Sequence, residues 1–110
     1  MKPIIVTLCG STKFKDEFVK QNSRETLSGK IVLSIGCNMK SDDEGFSDMT
    51  PAEFYEVKKN LDELHKRKID ISDEVLILNV GGYIGESTRS ELEYAISKGK
   101  KIRWLETDNK

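Results

Sequence analysis

Cysteine, proline, histidine and tryptophan are scarce in this chain of 110 residues: two, two, one and one. The cysteines, Cys9 and Cys37, stand far apart and form no CxxC pair and no cysteine–histidine set at metal-ligand spacing, which argues against zinc and dithiol redox chemistry. Each reads as a small buried residue at a strand end. Neither sign of charge is in surplus, since 18 Lys and Arg face 19 Asp and Glu for a net charge of −1. A chain so balanced lacks the field that holds a nucleic-acid polymer or an anionic membrane. No apolar run approaches the roughly 20 residues of a membrane span, and the apolar start is too brief for a secretion signal. The expected location is the cytoplasm.

What is present suits one folded domain. Charged residues make up 34% and apolar residues 36%, but the apolar ones gather in short periodic blocks rather than being diluted along the chain, which argues against disorder. Residues 4–8 form a nearly unbroken β-rich run, the pattern of a strand covered on both faces. Gly10 turns the chain, and Phe14, Phe18 and Val19 predict a helix capped by Ser11 or Thr12. Gly29-Lys30 ends it, residues 31–35 predict a second strand, and the polar stretch 38–49 predicts a loop or lid.

Thr50-Pro51-Ala52-Glu53 carries a strong helix-start signal, with a capping threonine, proline at the first helical position and glutamate at the third. Phe54, Val57, Leu61 and Leu64 give the long helix that follows an apolar stripe. Residues 74–80 predict a third buried strand, broken by Gly81-Gly82-Tyr83-Ile84-Gly85. Ser87-Thr88 opens a helix bearing Leu92, Ala95 and Ile96, Gly99 stops it, residues 101–105 predict a fourth strand, and residues 106–110 read as a frayed tail.

Strands alternating with helices imply an α/β fold: a small doubly wound, Rossmann- or flavodoxin-like parallel sheet of order 2-1-3-4, with helices on both faces. In that topology a crevice opens beyond the carboxyl ends of strands 1 and 3. Two glycine-containing loops, distant in sequence, are expected to converge there.

Gly10-Ser11-Thr12-Lys13 has the make-up of an anion cradle, with an approachable backbone, helix-start amides, hydroxyls and a cation. It equally suits an ordinary helix cap, and it matches neither a Walker loop nor a dinucleotide fingerprint. Glu91 also has two readings. Thr88-x-x-Glu91 matches a capping box, whereas a carboxylate in the first helical turn at the crevice mouth suits a nucleophile. His65, the lone histidine, is either a packed side chain or a proton donor to a leaving base, with Asp62 one turn earlier to orient it.

Leu8 to Lys13, the helix end Leu64-His65-Lys66-Arg67-Lys68-Ile69-Asp70, Ser72-Asp73, and above all Ser87-Thr88-Arg89-Ser90-Glu91-Leu92-Glu93-Tyr94-Ala95 carry a resemblance. Over roughly residues 4–105 the chain resembles the nucleoside 2-deoxyribosyltransferase and deoxynucleoside-monophosphate N-glycosidase superfamily, in its short phage and bacterial branch. The resemblance implies that Glu91 attacks the anomeric carbon of deoxyribose and that Gly10, Ser11, Thr12 and Lys13 contact a 5′-phosphate. It differs in three places: Lys13 stands where the family commonly has an arginine, His65 where it has an aspartate, and Gly85 where it has aspartate or serine.

The expected function is therefore cleavage of the N-glycosidic bond of a small phosphorylated nucleoside, with no metal or organic cofactor. Glu91 and His65 are the expected catalytic pair. Gly10, Ser11, Thr12 and Lys13 hold phosphate, Gly82 and Tyr83 bind substrate with Tyr83 packing on the base, and Ser87 and Thr88 contact sugar or phosphate. Relatives complete their crevice with a neighbouring subunit, so a homo-oligomer is expected. The competing reading is a non-catalytic nucleotide-binding or sensing domain in which Glu91 only caps its helix, and a weaker one is an interaction protein with a vestigial site.

Overall fold

Two stretches, residues 2–34 and 50–107, are described by the computed structural model, so the loop expected over 38–49 and Cys37 before it lie outside the described residues. Strands β1 (Ile5–Cys9), β2 (Ile31–Ser34), β3 (Glu74–Ile77) and β4 (Lys101–Trp104) alternate with helices α1 (Lys15–Leu27), α2 (Pro51–Asp70) and α3 (Glu86–Ser97). All neighbouring strands pair in parallel, in the order β2-β1-β3-β4. The fold is the small doubly wound α/β sheet expected.

Strand alternation sends the two inner strands' side chains to opposite faces. Val6 and Leu8 of β1, with Leu76 and Leu78, pack on Phe18 of α1. Cys9 of β1, with Val75 and Ile77 of β3, packs on Ile69 of α2 and Ala95 of α3. The central strands are thus apolar on both faces, which is why they read as continuous runs rather than alternating ones. No helix of the described residues is long and apolar enough to cross a membrane.

The start of α2 behaves as its sequence predicts: the Thr50 hydroxyl accepts from the Glu53 N–H at 3.2 Å and Glu53 returns the bond to the Thr50 N–H at 3.0 Å. Its apolar stripe departs from expectation. Leu64 points outward at 47% exposure, and the buried positions are His65 and Ile69. Counting back four residues from Ile69, which is anchored against the sheet, lands on His65. On the first helix Phe18 is buried but Val19 is exposed, and on α3 Ile96 is exposed while Ala95 is buried. Strand β3 is also shorter than predicted, since a single 3-10 turn begins at Val80.

At the amino-terminal end of the sheet, Arg103 joins two buried carboxylates. Its Nη1 donates to Glu25 Oε1 at 2.7 Å and to Glu74 Oε1 at 2.8 Å, while Nη2 donates to Glu25 Oε2 at 3.1 Å. Lys30 Nζ adds contacts of 3.2 and 3.3 Å to the same two groups. This cluster ties α1 to β3 and β4. The Arg103 hydrogen bonds hold the Glu25 carboxyl below its usual range, against the opposing effect of burial and with help from Lys30.

A lowered folded-state value means that Glu25 stabilises the fold fully above the ordinary glutamate pKa of about 4.3, and that this contribution disappears as pH falls through the folded value. Urea unfolding between pH 7 and pH 3 is expected to show that loss. Arg103→Met should lower stability at pH 7 by about 3 kcal/mol, because it leaves buried carboxylates short of a partner, and should flatten the acid limb. An unaltered acid limb in the variant would refute the assignment.

Where β1 ends, the chain passes so close to β3 that a Cβ on Gly10 would lie 3.0 Å from Leu78 Cβ and 3.3 Å from the Leu78 carbonyl oxygen. Only glycine fits without moving backbone. Gly10→Ala is expected to cost about 1–3 kcal/mol in denaturant unfolding, as overpacking does.

Candidate active site

Because β1 and β3 are adjacent, their carboxyl ends bring the Gly10 loop and the α3 start to one crevice. A cleft of ≈ 180 Å³ opens there. Gly10, Ser11 and Thr12 form one wall, Gly85, Ser87, Thr88 and Glu91 a second, and Lys58, Asp62 and His65 of α2 a third. A second depression of ≈ 220 Å³ adjoins it along Asp62, Ser87 and Glu91, and extends to Lys66, Glu86 and Ser90.

Helix α3 starts at Glu86, with Gly85 as its cap residue and no side chain capping it. Glu91 therefore sits in the second turn rather than the first, and Thr88 lies at the third helical position, so the capping-box reading is corrected. Thr88, Glu91 and Ala95 share the buried stripe of α3 at spacings of three and four. This spacing puts a carboxylate where an apolar side chain is the norm.

Glu91 is 6% exposed. Its Oε2 lies 3.3 Å from His65 Nδ1, yet neither His65 Nδ1 nor Glu91 Oε1 has a hydrogen-bond partner. Buried carboxylates are ordinarily hydrogen-bonded, so Glu91 Oε1 at the wall of the cleft is an exception among the described residues. Its charge reaches Cys9, fully buried behind it, whose thiol is pushed well up chiefly by burial and further by Glu91. Cys9 is thus an inert packing residue, as its position at a strand end led one to expect.

Asp62 lines the cleft, but no hydrogen bond joins it to His65, so the orienting role expected of it is not seen. The group beside the imidazole is Glu91. Sequence reasoning missed Lys58, although Lys58, Asp62 and His65 recur at helical spacings of four and three and so share a face of α2.

The Gly10–Lys13 loop differs from the simple helix cap predicted. Ser11 caps a single 3-10 turn over Thr12–Phe14, accepting from the Lys13 N–H at 3.3 Å, and α1 begins only at Lys15. The extra turn carries Lys13 away from the cleft wall. Its ammonium lies 3.9 Å from the centroid of the Tyr83 ring, and Phe14 meets that ring edge-on at 6.0 Å. A Cβ on residue 85 would come within 3.2 Å of the Tyr83 hydroxyl, so the Tyr83 side chain covers Gly85 at the edge of the cleft. Of the residues predicted for the site, the structure brings Gly10, Ser11, Thr12, His65, Ser87, Thr88 and Glu91 to one cleft. Lys13, Gly82 and Tyr83 stand outside its walls.

No protein-family model and no curated protein sequence matches the chain.

A buried carboxylate with one oxygen short of a donor costs desolvation on folding, and an isosteric amide carries a smaller penalty. Glu91→Gln is expected to raise stability by about 1 kcal/mol, as substitutions at costly functional positions do. Thermal and urea unfolding would check this, and a loss of 1 kcal/mol or more would show that the carboxylate is structurally satisfied.

Proposed function

We propose that the chain is a nucleotide-directed N-glycosidase or 2-deoxyribosyltransferase-like enzyme acting on a small phosphorylated nucleoside. The observation that carries this reading is the Glu91 carboxylate, buried at the wall of a hydroxyl-lined cleft, with Oε2 3.3 Å from the His65 imidazole and Oε1 without a hydrogen-bond partner. It agrees with the role that the family resemblance gives Glu91.

In this reading a Glu91 oxygen forms a bond to the anomeric carbon as the bond from that carbon to the base nitrogen breaks. The departing electron pair stays on the base, which takes a proton from His65. Water or a second base then attacks the same carbon, releasing Glu91 and returning a proton to His65. The Ser11, Thr12, Ser87 and Thr88 hydroxyls and the uncapped amides of α3 supply donors for phosphate and sugar. Lys13 adds positive charge from the rim. Phosphate binding remote from the bond to be cut positions it for attack.

The cleft and the depression adjoining it, ≈ 180 and ≈ 220 Å³, share Asp62, Ser87 and Glu91, and the family resemblance implies that a second copy of the chain completes the crevice. The sensor alternative assigned Glu91 to helix capping. Glu91 caps nothing, which favours the enzyme.

Incubation with a panel of deoxynucleoside monophosphates and dinucleotides, followed by chromatography of free base, tests the reading. Wild type is expected to release base from at least one member. Glu91→Ala should lose on the order of 10³-fold or more in rate while still binding ligand, and His65→Ala about 10²-fold or more. Binding throughout the panel without release would establish the sensor instead.

A further inference from the structure

The segment following β4 was expected to fray, but Glu106 is built into the fold. The Asn79 side chain, buried just beyond β3, exchanges two hydrogen bonds with the Glu106 backbone: Nδ2 donates to the carbonyl at 3.0 Å, and the Glu106 N–H donates to Oδ1 at 2.9 Å. The Glu106 side chain makes a separate third bond, in which Oε2 accepts from the Gly81 N–H at 2.9 Å. Gly81 and Gly82 have φ of 65° and 83°. Two backbone bonds close the turn, from the Gly82 N–H to the Asn79 carbonyl at 2.8 Å and from the Tyr83 N–H to the Val80 carbonyl at 3.1 Å. The Glu106 carboxylate adds an acceptor for the Gly81 amide, which those bonds leave open, at a glycine pair with little steric preference of its own.

Tyr83 follows that turn directly, and two contacts depend on where the turn puts it. Its ring faces the Lys13 ammonium from the other loop, and its hydroxyl lies over Gly85, which lines the cleft.

We propose that Glu106 is a positioning residue for the cleft: its carboxylate fixes the Gly81–Gly82 turn, and the turn sets Tyr83 against Lys13 and over Gly85. Glu106 touches no ligand in this arrangement. It acts through the turn, and the same bond reserves the Gly81 amide, leaving the hydroxyls and amides of the cleft to receive an anion. The predicted effect on ligand affinity rests on the nucleotide reading, whereas the positioning of Tyr83 does not.

Glu106→Ala removes only the third bond, because Asn79 holds the backbone of residue 106. Glu106→Gln retains an acceptor oxygen. The Tyr83 ring, at 3.9 Å, shifts the NMR signals of the Lys13 side chain and so reports its own position. In the alanine variant the Gly81 amide is expected to exchange about tenfold faster, and the Lys13 ε-methylene signals to move toward unshifted values. Deoxynucleoside monophosphate binding should weaken about threefold to tenfold. The glutamine variant should remain near wild type in all three. Unchanged Gly81 exchange and Lys13 signals in the alanine variant overturn the proposal, as does unchanged affinity in a protein that binds the nucleotide. A wild type that binds no member of the panel removes the nucleotide reading, and the Lys13 and Gly81 signals then decide the role of Glu106 alone.

Discussion

The approach of Gly10 to Leu78 is the constraint on which the site depends. With β1 and β3 paired in parallel, the chain leaves β1 across the end of β3, and a Cβ at Gly10 would stand 3.0 Å from Leu78 Cβ, close enough that Leu78 would have to give way. That proximity is what sets Ser11 and Thr12 opposite Ser87 and Thr88. A side chain at this position would push the two loops apart, and the cleft is the space between them.

The two ends of the sheet divide their tasks. At the amino-terminal end, Arg103 and Lys30 satisfy Glu25 and Glu74, so buried charges there are partnered and bind α1 to the sheet. At the carboxyl end, Glu91 is equally withdrawn from water and has no donor on Oε1. The contrast is between carboxylates whose partners hold the fold together and one that lines the cleft with an oxygen to spare. A fold that holds an unsatisfied group must be secured elsewhere, and the two-faced core around β1 and β3 together with the Arg103 cluster does so.

Much of this was legible in the sequence because the signals were local or periodic. Continuous apolar runs marked β1 and β3 as central, Thr50-Pro51-Ala52-Glu53 marked the start of α2, and strand–helix alternation led to the strand order. The errors fall where two local signals compete or where partners are remote. Thr88-x-x-Glu91 satisfied a capping pattern, and only the actual helix start at Glu86 shows that Glu91 belongs to the buried stripe. Leu64 and His65 are neighbours on α2, and the docking of Ile69 against the sheet decides which of them turns inward. The contact of Lys13 with Tyr83 joins loops far apart in the chain, and neither residue's neighbours announce it. Glu106 looked like a tail because its partners, Asn79 and Gly81, lie more than twenty residues away.

Tyr83 and Gly85 carry a consequence for how such a chain can change. The phenol hydroxyl lies within 3.2 Å of the point where a larger residue 85 would begin. The two positions are therefore rival occupants of one volume. A side chain at 85 would make the phenol tip give by a few tenths of an ångström, and the ring that carries it is also packed against the Lys13 ammonium and Phe14. Changes at positions 13, 83 and 85 therefore share one set of contacts, and their energetic effects are expected to be non-additive.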